Sequence, residues 1–158
     1  MANHYQNIVV AVDGSPEAEL AFLKSIDVAK RNVGSTLHIL HVIDTSIVTS
    51  VNMLYDNMVE LVRKHGEVLL ERYESLANEA GISNVNPIIT KGVPKQVLSK
   101  KLSDIVKADL IICGATGLNA VEQIFIGSNT EAIVRHAKCD VLIVRTPEGD
   151  KIEKSMRI

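Results

Sequence analysis

The stretch GATGLNAVEQIFIGSNTE, from Gly114 to Glu131, spaces three glycines as Gly114-x2-Gly117-x9-Gly127 and follows the last with Ser128. Glycines so placed let a backbone turn sharply and come close to a ligand. Gly114 and Gly117 follow the apolar run at Leu110, and Gly127 with Ser128 opens a helical pattern. A helix start offers free N–H groups and the positive end of a dipole, both suited to an anion. Ser128 and Thr130 add hydroxyl donors. The chemistry on offer is phosphate binding by backbone and hydroxyls, without a fixed cation. The segment is neither the GxxxxGK phosphate loop nor the GxGxxG dinucleotide fingerprint. Glu122 would repel a phosphate unless it pointed away. Spacing alone leaves open a plain glycine turn that packs helix on strand.

Asp13 is the second residue of interest. It ends the first apolar run, where a carboxylate at the C-terminal edge of a sheet can hold a ribose diol or a base amine. Asp before Gly also caps turns and helix starts, and in DGSP the two roles are compatible.

The elements that must position these residues are legible in the hydrophobic pattern. Five apolar runs read as strands, at Ile8–Asp13, Thr36–Val42, Val85–Thr90, Leu110–Gly114 and Asp140–Arg145. Most are continuous, as expected when both faces of a sheet are covered. Helical periods lie between them. The first starts at the N-cap Ser15 with Pro16 next and runs to about Asn32. A long one spans about Met53 to Ala80, with Met58, Leu61, Leu69, Tyr73 and Leu76 among its apolar positions and Gly66 as a weak point. Two more run from Pro94 to about Val106 and from Ser128 to about His136. Alternation of strand and helix predicts one α/β domain over residues 1–158, a doubly wound parallel sheet with helices on both faces. The segment DTSIVTSVN reads as a surface connection or a flap.

Composition narrows the function. A net charge of −2 without a long basic run argues against nucleic acid. The apolar runs are too short for a membrane span, and the chain reads as cytoplasmic. Cys113 and Cys139 read as buried thiols rather than a disulfide or zinc pair. His38 and His41 point to opposite faces of one strand, so no shared metal is expected. His136 lies about 12–15 Å along its helix from Ser128, too far to act as a base there. A flavin is disfavoured by the lack of Trp.

The glycine spacing, the opening NIVVAVDGSPEAELAF, and the segments LHILHVID, KGVPKQVL and IVRHAKCDVLIVR resemble the universal stress protein family over nearly the whole chain. The resemblance implies strand order 3-2-1-4-5, an adenine nucleotide alpha-hydrolase-like fold, and ATP binding, with ADP or AMP as alternatives and any Mg²⁺ carried by the nucleotide. It implies a site of Ala11, Val12, Asp13, Val42, Gly114, Gly117, Gly127, Ser128, Asn129 and Thr130. Asp13 would contact ribose or adenine, and the Val42 backbone would meet adenine. The stretch Asn119–Gln123 departs from the basic residues found in relatives. The resemblance also implies a homodimer paired through the Val141–Val144 edge strand, with a cover from the tail Glu148–Ile158 as the alternative. The expected role is a stress-response switch or sensor with no catalytic residue assigned; the alternatives are a slow ATPase or phosphotransferase and a non-binding scaffold. The regulatory partner is not legible.

Overall fold

The computed structural model describes residues 4–46, 55–115 and 127–145, with side chains from residue 58 onward in the second stretch. Gly117, Glu122, most of the DTSIVTSVN connection, the Met53 helix start and the tail lie outside the described residues.

Strand β1 (Asn7–Ala11) leads to α1 (Pro16–Arg31), β2 (Thr36–Asp44), α2 (Tyr55–Glu79) and β3 (Val85–Gly92). A helical segment over 94–105, here α3, then leads to β4 (Leu110–Gly114), α4 (Ser128–His136) and β5 (Asp140–Val144). The strands form one parallel sheet in the order β3-β2-β1-β4-β5, as expected. Parallel crossovers are right-handed, so reversing the direction of winding after β3 moves the helices to the other face. The two cores follow this rule. Phe22 and Ile26 of α1 and Leu70, Tyr73 and Ala77 of α2 pack with Ile8, Val10, Leu37 and Ile39 on one face. Leu98 and Leu102 of α3 and Ile133 of α4 pack with Val9, Leu40 and Ile111 on the other.

Helix α1 starts as its residues dictate. Ser15 Oγ accepts from Ala18 N at 3.2 Å, and Pro16 takes the first turn, where no N–H partner is needed. Strand β1 is shorter than expected. It leaves the ladder after Ala11 because Gly14, at φ +83°, turns the chain into α1, although Val12 N still donates to Leu40 O. The buried stripe of α2 keeps only part of the expected apolar positions: Tyr73 is buried and Leu69 packs against the core. Met58, Leu61 and Leu76 are exposed, whereas Gly66, Leu70, Tyr73 and Ala77 face the sheet. The spacing 66-70-73-77 still follows the helical period, and the glycine sets which side turns inward. Cys113 is buried and desolvation pushes its thiol up to about 11, but Cys139 is only half-buried, just ahead of β5.

A polar row crosses three strands at the N-terminal end of the sheet. His38 Nε2–H donates to Asn7 Oδ1 at 3.0 Å, and Asn86 Nδ2 donates to His38 Nδ1 at 2.9 Å. Both ring nitrogens are therefore committed to one neutral tautomer. Burial lowers the pKa of His38 below its ordinary 6.5, and the weaker pull of Asp109 opposes that shift. As pH falls through about 6.5 the unfolded chain takes up a proton that the folded chain refuses. Stability is thus whole above that pH and is lost as pH falls toward the folded value. Urea unfolding at about pH 7.5 and 5.5 should show a larger acid loss for the native chain than for His38→Gln. Equal losses would mean that His38 is not held neutral.

Candidate functional site

The switch in winding direction falls between β1 and β4, which are paired through Ile8↔Leu110, Val9↔Ile111 and Val10↔Ile112. At such a point the connections leave in opposite directions and open a crevice beyond the strand ends. Four chain segments meet there.

Gly114 closes β4 against the first turn of α1. A Cβ on Gly114 would lie 2.8 Å from the Glu17 carbonyl oxygen, so only glycine allows this approach. Thr130, in the first turn of α4, donates its hydroxyl to Gly114 O at 2.9 Å. The end of β4 is therefore clamped between the N-termini of two helices. Gly127 is the N-cap of α4 and has no side chain to cap it, so among the described residues no N-cap side chain takes up the first N–H groups of that helix. Ser128 and Asn129 are exposed in that turn.

Asp13 is exposed at the end of β1, and its Oδ1 accepts from Ser15 N at 2.9 Å. The carboxylate thus shapes the turn into α1, and its other oxygen takes no hydrogen bond among the described residues. Val42 is reached through the ladder. The N–H and C=O of one strand residue point to the same neighbour, and the side alternates along the strand. Leu40 O accepts from Val12 N, so Val42 presents its backbone to the same side, one step beyond the end of β1.

The structure thus gathers Ala11, Val12, Asp13, Val42, Gly114, Gly127, Ser128, Asn129 and Thr130 at one edge of the sheet, with Gly117 outside the described residues. Thr130 differs in one respect from its expected part. It is buried and its hydroxyl is spent on Gly114, so it positions the helix rather than offering an oxygen to solvent. Among the described residues no three His, Cys, Asp or Glu side chains gather as a metal-binding set.

A model described as the universal stress protein family matches residues 4–145. The chain belongs to the universal stress protein family. A Staphylococcus haemolyticus protein named as a universal stress protein is 49% identical over 144 residues, covering 91% of this chain and 87% of that one. The universal stress protein UspA from Lactobacillus plantarum shares the fold with a TM-score of 0.78 and 27% identity, over 91% of this chain and all of that one. A universal stress protein solved in complex with cAMP aligns with a TM-score of 0.65 and 26% identity, over 92% of this chain and all of that one.

Two supports of this universal stress protein's site were not legible in its sequence. His41 Nδ1–H donates to Val12 O at 2.8 Å, which ties β2 to the turn that carries Asp13. Gly66 of α2 lies over that ring; its Cβ, if added, would be 2.8 Å from His41 Cδ2 and 3.1 Å from Ile89 Cδ1. A glycine in mid-helix was the available signal, and beyond being a weak point it serves close packing. The second support is Glu19, in the first turn of α1. Its Oε1 accepts from Arg72 at 2.9 Å and from the Tyr73 hydroxyl at 3.0 Å, joining α1 to α2. Desolvation, with the Glu19 charge, raises the Tyr73 pKa, so the phenol stays a donor.

Helix propensity favours alanine over glycine by about 1 kcal/mol. At Gly66 the packing should prevail, and Gly66→Ala should destabilise the chain by roughly 1–3 kcal/mol, because the His41 ring is pinned to Val12 and cannot swing away. A chemical melt showing Gly66→Ala more stable than the native chain would refute the close contact.

Proposed function

We propose that this universal stress protein is a stress-response switch or sensor that binds an adenine nucleotide, ATP in the first place, at the junction of β1, β4 and α4. The observation that carries the reading is the clamp at Gly114. It brings a helix start, whose N-cap Gly127 offers no side chain, to the same sheet edge as the Asp13 carboxylate. The N–H groups suit phosphate and the carboxylate suits the hydroxyls of a ribose, so the ends of a nucleotide find opposite electrostatic partners. The backbone of Val42 would read the adenine edge, and Gly117 would extend the phosphate cradle. A relative solved with cAMP supports an adenine nucleotide as the ligand class. Any Mg²⁺ would arrive with the nucleotide phosphates. The protein would work in the cytoplasm as a homodimer. β5 is an edge strand, and pairing Val141–Val144 with a second copy would satisfy its open rim and shelter its half-buried side chains. Hydrolysis is not required by this reading, since a switch needs only a bound state that differs from the free one.

Calorimetric titration with ATP, ADP, AMP and cAMP, after mass spectrometry of any nucleotide that leaves the denatured protein, tests the proposal. Asp13→Ala should weaken ATP binding about ten- to a hundredfold, as for the loss of a charged hydrogen bond of ~1.5–3 kcal/mol. Asp13→Asn keeps an oxygen for the Ser15 N–H and should fall between Asp13→Ala and the native chain, which separates the turn from the ligand contact. Unchanged affinity in both variants would remove Asp13 from the site. Bound ATP that stays intact over hours fits a switch, and rapid release of ADP would make the protein a hydrolase instead.

A further inference from the structure

We propose a second small-molecule site, a cleft between α3 and the C-terminal end of α4 that takes the carboxylate of a short unbranched acyl chain. The cleft lies at the N-terminal ends of β4 and β5, the opposite end of the sheet from the nucleotide junction, and encloses about 300 Å³.

Its shape comes from a change of helix type. Segment α3 passes from α geometry at Pro94–Gln96 to a π-helical turn at Val97–Lys101 and back to α at Leu102–Ile105. Ser99 Oγ donates to Lys95 O at 2.5 Å, four residues back, so that carbonyl also serves a side-chain donor at the start of the π turn. Such single π turns are rare and concentrate at functional sites. Here Leu98, Ser99 and Lys100 of that turn form one wall of the cleft. Leu102, Ala108 and Ile111 supply its apolar lining, and Ala137 closes it from the α4 side.

Charge selects the ligand's head. Lys100 and Lys138 line the cleft with His136, and among the described residues no carboxylate does. Neither lysine makes an ion pair among the described residues. The dipole of α4 accounts for Arg135 and His136 at its C-terminal end, but not for Lys100, which belongs to another helix. An apolar trough with cations beside it fits an amphipathic anion: the chain displaces water from the leucines and the carboxylate meets the ammonium groups. The volume stands at the small end of ligand pockets, which run from roughly 300 to 1,000 Å³, and suits a single acyl chain.

Sodium decanoate titrated into the native protein, followed by ¹³C-methyl spectra, tests the site. Saturable shifts are expected for Leu98, Leu102 and Ile111, with Val12 and Val42 at the nucleotide junction unmoved. Decanol, and decanoate with the double variant Lys100→Glu, Lys138→Glu, should bind at least tenfold more weakly. Ser103→Trp, at an exposed residue lining the cleft, should block binding while leaving the fold intact by circular dichroism. The absence of saturable shifts at millimolar decanoate would overturn the proposal. So would equal affinity for decanol, or unchanged binding in Ser103→Trp. No nucleotide is present in the titration, so its outcome is independent of the nucleotide reading.

Discussion

The pairing of β1 with β4 is the constraint on which the rest of the structure depends. These strands are about a hundred residues apart in the chain, and among the described residues their ladder is where the two halves of the winding are sewn together by backbone hydrogen bonds. The Asp109 carboxylate reinforces it at the near end by accepting from Gln6 N and Asn7 N, while Asp109 N donates to Asn7 O. Once this register is set, β1 and β4 end together at the opposite side of the sheet. The turn after Ala11 and the clamp at Gly114 are then neighbours by necessity.

That edge is built for close approach. Gly114 meets the Glu17 carbonyl without a Cβ between them, and Gly66 meets the His41 ring in the same way. Each contact brings a helix nearer to the sheet than an alanine would permit, and each fixes something that the proposed site would use. The first sets the start of α1 beside the end of β4, and Thr130 does the same for α4. The second holds the ring that grips Val12 O, so the turn at Asp13 is braced from below. Rigidity at this edge matters because a nucleotide would be held mainly by backbone groups, which cannot adjust as side chains can.

The two faces of the sheet solve the burial of polar groups differently. On the α1–α2 face the buried Glu19 is matched by Arg72 and the Tyr73 hydroxyl, so its charge has partners where water is scarce. On the other face His38 is kept neutral between two amides, which avoids burying a charge at all. That face also carries the π turn of α3. There the hydroxyl of Ser99 competes for a backbone carbonyl, and the packing between helices opens into a cleft instead of closing.

Element types, the Ser15 cap and Pro16 start of α1, the bounds of β4 and α4, and the alternation that makes a doubly wound sheet were all legible in the sequence, because they rest on local signals: apolar runs, caps and glycine stops. The proposed site residues stood out as a glycine spacing and an aspartate before a turn, and the family resemblance supplied the strand order, which the sheet shows, and the ligand class proposed for that site. Which side of α2 faces inward was not legible, since Leu61 and Leu76 share the helical period with Leu70 and Ala77, and only contact with β2 and β3 chooses between them. Nor was the commitment of the Thr130 hydroxyl to Gly114, or of Glu19 to Tyr73. Those are long-range pairings, and a residue's own neighbours carry no information about the partner that folding brings to it. The sequence by itself determined what each segment would become and which residues could bind. The tertiary structure decided which polar groups remain free to do so, because a hydrogen bond made inside the protein is no longer available to a ligand.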